Sequence, residues 1–370
     1  MANQLLQDIH KALGQVKYPG FSKSIVDFNF VKSCELEKGK TLRLLLEIPA
    51  SNPQVSEALK AELMEKLAHL KLDALNLSIK QPEEPQTPFP DAASEGKNLA
   101  PQIKHFVMVS SGKGGVGKST TSLNLAIAMS RLGQRVGLLD ADIYGPNLPR
   151  MMGLADERPL VKDAKLEPLK AFGIEFMSMG NLIEPGQGLM WRGAMIMKAI
   201  AQLLQDVMWS PLDVLFIDMP PGTGDAQITL AQSVPVGAGV VVSTPQGVSL
   251  DDSRRALDMF EKLNIKVAGL IENMSSFIAP DTGVEYQIFG KGGALSLAHE
   301  YDVDVLAAMP IDINLREAGD SGRPLTFYEP THAISARYYE AAGKLLDFLE
   351  VHAKDVDNAS VQPIPGYRPE

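Results

Sequence analysis

The spacing of apolar and polar positions changes several times along this chain, and those changes divide it. Residues 5–13 carry apolar side chains at helical spacing and predict a short amphipathic helix. Residues 24–31 and 41–48 are rich in β-formers and predict two strands. Between them Glu35-Leu36-Glu37-Lys38-Gly39-Lys40 reads as a solvated hairpin tip. Residues 53–70 return to helical spacing through Leu59, Leu63 and Leu67, with Pro53 suited to a first turn. Residues 74–79 predict a third strand, which completes a small α+β unit over residues 1–80.

The pattern then breaks. Pro82, Pro85, Pro88 and Pro90 stand among Glu, Asp, Ser and Gly, a composition that cannot bury a core, so residues 81–101 predict a flexible linker. From residue 102 to 352, near-continuous apolar runs alternate with helical segments. The runs cover residues 105–110, 136–139, 214–217, 239–243, 267–271 and 303–307. Strands of that kind are buried on both faces, which predicts an α/β, doubly wound, mostly parallel sheet. Residues 353–370 predict a disordered tail, and no internal repeat is visible.

Candidate chemistry follows the first apolar run. Residues 112–120 read Gly-Lys-Gly-Gly-Val-Gly-Lys-Ser-Thr, between a predicted strand and a helix that begins near Thr120. That is the context of a P-loop. The backbone N–H groups of Gly112, Lys113, Gly114, Gly115, Val116 and Gly117 suit a cradle for phosphate oxygens, and the helix N-terminus adds positive potential. Lys118 is expected to reach the β- and γ-phosphates of ATP, and the Ser119 hydroxyl to ligate Mg²⁺. Lys113 is an additional cation: either a solvated lysine or a second charge for the phosphates.

In doubly wound sheets ligands gather at the carboxyl ends of the strands, and the acids here follow the strand runs. Asp140-Ala141-Asp142 follows one run, Asp218-Met219-Pro220-Pro221-Gly222-Thr223-Gly224-Asp225 another, and Glu272-Asn273-Met274 a third. Asp218 is placed as the carboxylate that holds Mg²⁺. Asp142 is a candidate to position the attacking water, and Asp140 to support the strand end or the metal shell. Residues 220–225 read as a switch segment whose glycines permit movement. Each acid also suits a turn or a helix cap.

Composition narrows the classes. The chain has 370 residues and a net charge of −10, so general binding to DNA or anionic lipid is not expected. No apolar run approaches a membrane span, and residues 1–20 lack a secretory apolar core. The single cysteine, Cys34, excludes an intrachain disulfide, and a soluble cytoplasmic protein is expected. The six histidines show no metal-ligand spacing. Met190, Met195 and Met197 cluster around Trp191 and fit either an adaptable surface or an irregular interior. Arg192 suits a phosphate, a partner chain or a surface ion pair.

With Lys113, the P-loop resembles the deviant Walker A loop of ParA, MinD, the arsenite-pump ATPase and the nitrogenase iron protein. That resemblance implies a homodimer in which Lys113 reaches the phosphates of the partner subunit, with Asp142 at the attacking water and Asn273 at the adenine. A turn role accounts for Asn273 equally well. Residues 110–120, 140–147 and 218–225, with Trp191-Arg192-Gly193, Thr244-Pro245-Gln246 and Ile271-Glu272-Asn273-Met274-Ser275, resemble the Mrp/ApbC family of ATP-dependent iron–sulfur cluster carriers. The unit over residues 1–80 resembles the small iron–sulfur-assembly domain often fused to such proteins.

The resemblance implies apoprotein clients or iron–sulfur assembly proteins as partners, with neither nucleic acid nor membrane. One departure bears on the cargo. Where the family carries Cys-x-x-Cys, this chain carries Ala279 and Thr282, and neither supplies the thiolates an iron–sulfur cluster normally takes. Cys34 is either a ligand elsewhere or a small buried hydrophobe. The reading is therefore a Mg-dependent ATPase serving iron–sulfur cluster assembly or transfer. The alternative is an ATP-dependent protein-binding switch or scaffold that holds no cluster. A partition ATPase is opposed by the acidic balance, and a ligase of the dethiobiotin synthetase type lacks a visible acceptor pocket.

Overall fold

The computed structural model describes residues 2–17, 24–28, 30–37, 40–48, 53–70, 72–80, 98–143, 145–162, 165–182 and 193–352. Contacts divide the chain into two compact units, Met1–Asp91 and Ala92–Glu370. Of the linker expected at 81–101, residues 81–97 lie outside the described residues, while Asn98 and Ala100 are buried; also outside are the tail at 353–370, Tyr144, Met190, Trp191 and Arg192, and the side chains of Met195 and Met197.

The first unit contains α1 (Ala2–Leu13), β1 (Val31–Glu37), β2 (Thr41–Glu47), α2 (Pro53–Leu67) and β3 (Ala74–Lys80). β2 is central, antiparallel to β1 and parallel to β3. Its alternation of Leu42, Leu44 and Leu46 with Arg43 and Glu47 sets one face inward, where it meets Leu59, Leu63 and Leu67 of α2 and Ile9 and Leu13 of α1.

The strand expected over residues 24–31 is not formed. Ser24 and Asp27 bind each other instead: Ser24 Oγ and Ser24 N donate to Asp27 Oδ2, and Asp27 N donates back to Ser24 Oγ. A short side chain bonded to local backbone competes with a strand ladder. The strand starts at Val31 and takes in Glu35 and Glu37, which the sequence had suggested for a hairpin tip.

The second unit opens with β4 (Ile103–Ser110), followed by α3 (Lys118–Arg131), β5 (Val136–Asp140) and α4 (Leu148–Met151). Next come the two-residue strands β6 (Val161–Lys162) and β7 (Lys165–Leu166), then β8 (Leu169–Ala171), β9 (Ile174–Ser178) and α5 (Gly193–Gln205). The chain continues through β10 (Leu212–Asp218), α6 (Asp225–Ser233), β11 (Val236–Ser243), α7 (Gly247–Lys262), β12 (Val267–Ile278), β13 (Glu285–Tyr286) and α8 (Gly293–Tyr301). It ends with β14 (Val305–Ile311), α9 (Ile313–Ser321), α10 (Leu325–Tyr328) and α11 (Ala333–His352).

Among the described residues, nine strands form one sheet in the order β13-β12-β11-β4-β10-β5-β9-β8, with β14 also paired to β12. The pairings are parallel except at β12–β13 and β8–β9. The fold is thus α/β with a mostly parallel sheet. Successive residues serve opposite cores. Val107, Val109, Leu138, Val214, Phe216 and Val240 pack with α3 and α11 on one face. Phe106, Met108, Leu139, Leu215, Ile217 and Val241 pack with α5 and α7 on the other.

Two strand expectations differ from the structure, and one hairpin was not anticipated. The run at 267–271 continues to Ile278, so Glu272, Asn273 and Met274 lie within β12 rather than after it; Met274 (φ 56°) sits where the register shifts. The run at 303–307 is a strand over Val305–Ile311, because Asp302 in left-handed conformation (φ 52°) ends α8 just before it. β8 and β9 form a hairpin through Phe172 (φ 54°) and Gly173 (φ 78°), the two positive φ values that a type I′ turn requires. Among the described residues, no helix is long and apolar enough to cross a membrane.

At the amino end of the sheet, Arg135 clamps Asp213. Arg135 N and Nε donate to Asp213 Oδ2 and a terminal nitrogen donates to Oδ1, each at 2.9 Å. These bonds hold the Asp213 carboxyl down at about 2. A depressed carboxyl stabilises the fold above its unfolded value, and that contribution is lost as pH falls through the folded one. We therefore expect Asp213→Asn to flatten the loss of stability between about pH 4 and pH 2, measured by denaturant unfolding at stepped pH.

Candidate functional site

The P-loop connects β4 to α3, and its conformation is dictated locally. Gly115 (φ 80°) and Gly117 (φ 89°) occupy left-handed backbone, where a side chain is strained. A Cβ on Gly112 would lie 2.1 Å from the Asp252 carbonyl of α7, and one on Gly117 would lie 2.0 Å from Asn273 Nδ2. A Cβ on Gly114 or Gly115 would meet nothing within 4 Å. The loop is therefore wedged at its two ends and open along its middle. Ser111 Oγ donates to the Lys113 carbonyl at 3.0 Å, which pins the loop's entry.

Below the loop, donors converge on one carboxylate. Asp218 ends β10 and is fully buried. Its Oδ2 accepts from Ser119 Oγ at 2.6 Å and faces Lys118 Nζ at 2.8 Å; its Oδ1 accepts from Ser122 Oγ at 2.6 Å. Lys118 Nζ also lies 3.3 Å from Ser119 Oγ. A buried charge pair of this kind tolerates loss of one partner poorly, at about 3–5 kcal/mol, because the other charge stays buried. The paired hydroxyl and carboxylate oxygens of Ser119 and Asp218 are hard donors, the type that suits Mg²⁺.

The other strand-end acids are arranged around this group. Asp140, 1% exposed, accepts from Asp142 N and from Ser178 Oγ, both at 3.1 Å. Burial, and then the charge of Asp218, push its carboxyl well above the ordinary aspartate range; Lys118, Asp142 N–H and Ser178 pull the other way. Asp142 is half-buried at the start of the next loop, where Gly145 N donates to its carbonyl. The segment after Asp218 is fastened twice. Gly222 N donates to the Ser111 carbonyl at 3.0 Å, and Gln227 Nε2 donates to the carbonyls of Pro220 and Gly222 at 2.9 Å.

The structure brings Lys118, Ser119 and Asp218 into direct contact and sets the P-loop glycines beside them. Lys113 is half-buried on the loop, and Thr120 on α3 receives Asn124 Nδ2 at its carbonyl. Asn273, suggested for the adenine, donates Nδ2 to the Val116 carbonyl at 2.8 Å and abuts Gly117. Its neighbour Glu272 accepts from Ala294 N at 2.7 Å, in the first turn of α8. Ser122 was not anticipated. It lies one helical turn beyond Ser119, on the same face, and that spacing was its only sequence signal.

Ala279 and Thr282 lie in the turn between β12 and β13, closed by Gly283 N donating to the Ala279 carbonyl at 2.8 Å. Cys34 lies in the first unit, half-buried on β1, and burial raises its thiol. Among the described residues, no group of three or more His, Cys, Asp or Glu is placed to hold a metal ion.

Comparison with known proteins follows from this geometry. The family model described as ParA: NUBPL iron-transfer P-loop NTPase matches residues 102–346. The chain is 50% identical over 362 residues to an iron–sulfur cluster carrier protein of Helicobacter pylori, spanning 96% of this chain and 97% of that one. It is 41% identical over 346 residues to an iron–sulfur cluster carrier protein of Synechocystis sp., spanning 90% and 96%. Among solved structures, the nucleotide-binding protein of Archaeoglobus fulgidus in complex with ADP is 38% identical, with a TM-score of 0.54, over 60% of this chain and 88% of that one.

Asn273→Ala should leave the buried Val116 carbonyl without its donor, at about 1–3 kcal/mol. We expect a lower melting temperature and weaker nucleotide binding, with the preference for ATP over GTP unchanged. Differential scanning fluorimetry and competitive nucleotide titration check this, and a switched preference would return Asn273 to the base.

Proposed function

The chain belongs to the family of iron-transfer P-loop NTPases and is an ATPase; on that footing we propose that it acts as a Mg-dependent homodimer serving iron–sulfur cluster assembly. The observation that carries this reading is the convergence of Lys118, Ser119 and Ser122 on Asp218 beneath an open glycine loop. Gly112, Lys113, Gly114, Gly115, Val116, Gly117 and Thr120 would contribute the loop that receives the phosphates. Ser119 and Asp218 would hold Mg²⁺, which when bound neutralises charge on the phosphate oxygens.

This chain's own residues perform the rest. Lys118, 2.8 Å from Asp218, offers its charge to the phosphates. Asp142 orients the attacking water, anchored through its backbone N–H to Asp140. Lys113 supplies a cation to the triphosphate of the partner subunit, where it stabilises charge that spreads over the oxygens during transfer. Residues 140–147 and 220–225 answer to the γ-phosphate, so dimer closure follows binding and reopening follows hydrolysis. The small α+β domain expected over residues 1–80 engages an apoprotein client or an assembly protein. The net charge of −10 supports a protein partner in the cytoplasm over nucleic acid or a membrane surface.

Cluster carriage rests on the carrier names of the relatives, and the residues at the expected ligand positions do not fit it. Ala279 has no donor, and the Thr282 hydroxyl is a poor ligand for iron beside a thiolate. Cys34 gives two thiolates per dimer against the four ligands of a [4Fe–4S] cluster. That observation favours a second reading, an ATP-dependent switch that docks iron–sulfur proteins without holding a cluster.

Three measurements test these assignments. Asp142→Ala should bind ATP with wild-type affinity and lose hydrolysis by on the order of 100-fold; full turnover ends its role. Lys113→Ala should abolish ATP-dependent association seen by light scattering, and unchanged association and turnover would leave it a solvated lysine. Anaerobic reconstitution followed by iron and sulfide analysis separates the two readings of cargo. Bound cluster in the wild type and none in Cys34→Ala would make Cys34 a ligand, whereas no cluster in either supports the switch.

A further inference from the structure

We propose that Gln227 is a positioning residue for hydrolysis: it latches the segment after Asp218 to α6, and Gly222 carries the latch on to Ser111 at the entry of the P-loop. This rests on the ATPase reading and adds a residue that none of the motifs contains.

Gln227 lies near the start of α6 and is 2% exposed. One side-chain amide donates to two carbonyls, Pro220 and Gly222, both at 2.9 Å. Two acceptor partners fix the amide orientation, since its oxygen could bond to neither. The segment needs such a donor. Pro220 and Pro221 have no N–H of their own, and the buried Pro220 carbonyl is cut off from water.

Gly222 extends the latch. Its φ of 95° is open to glycine and strained for other residues, and it lets one residue bond in two directions. The Gly222 carbonyl accepts from Gln227, and the Gly222 N–H donates to the Ser111 carbonyl at 3.0 Å. The Ser111 hydroxyl in turn donates to the Lys113 carbonyl. A continuous series of hydrogen bonds thus runs from α6 through the Asp218 segment to the backbone of Lys113. Any displacement of residues 220–222 must break the two Gln227 bonds or carry α6 with it. Both acceptors of the Gln227 amide are backbone carbonyls of residues 220 and 222, so its effect falls on the geometry of the hydrolytic state rather than on nucleotide affinity.

The test compares Gln227→Met, which keeps length and loses both donors, with the wild-type chain. We expect kcat to fall on the order of tenfold, with KM for ATP and affinity for ADP within about twofold. A kcat within about twofold of wild type overturns the proposal, and so does a kcat loss matched by an equal loss of ADP affinity, which marks a packing residue. Hydrogen–deuterium exchange on the wild-type chain decides the matter if the variant does not fold. Protection across residues 219–224 should differ between ADP and a non-hydrolysable ATP analogue, and identical protection in both overturns the latch. A wild-type chain without turnover would instead overturn the ATPase reading, and the exchange measurement would still decide the latch.

Discussion

The second unit is organised around a carboxylate whose two oxygens are both engaged. Asp218 is fully buried, and both of its oxygens are taken by Lys118, Ser119 and Ser122 from the first turns of α3. Burying a carboxylate is costly unless it is paired and hydrogen-bonded, and here every partner comes from the helix that the P-loop feeds. The carboxylate therefore locks β10 to α3. It also sets Asp140, one strand away, in a field that disfavours a second negative charge. The phosphate loop, the acids and the carboxyl ends of the central strands form one electrostatic unit, and the loop cannot be remodelled without disturbing the core beneath it.

That unit is joined to its surroundings mainly through backbone. Asp142 hangs from Asp140 by its N–H, Gly222 from Ser111, and Val116 from Asn273. Such contacts are indifferent to side-chain identity at one end and strict at the other. This allows a loop to shift between discrete arrangements while the residues that hold it stay put. A nucleotide need act on only a few such bonds to alter two segments at once.

Much of this was legible in the sequence. The alternation of apolar runs and helices announces the parallel sheet, and the glycine loop and Asp218 follow from motif and strand context. What escaped notice depends on distance between residues remote in the chain. Ser122 is an ordinary helical serine until Asp218, 96 residues away, is brought beneath it. Asn273 looks like a turn residue until β12 runs through it and carries its amide to Val116. The turn at Ser24 was hidden for another reason. A β-rich stretch with a serine three residues before an aspartate can satisfy itself locally, and the side-chain bonds prevail over propensity.

Gly117 and Asn273 occupy one another's space so closely that a single methyl group at the glycine would coincide with the amide nitrogen. Neither position can drift alone. Enlarging the first demands a smaller second, and shrinking the second strands a carbonyl that has no water to turn to. Over evolutionary time the two sites should therefore change as a pair or stay as they are, a covariation that links the strand to the loop across 156 positions of chain.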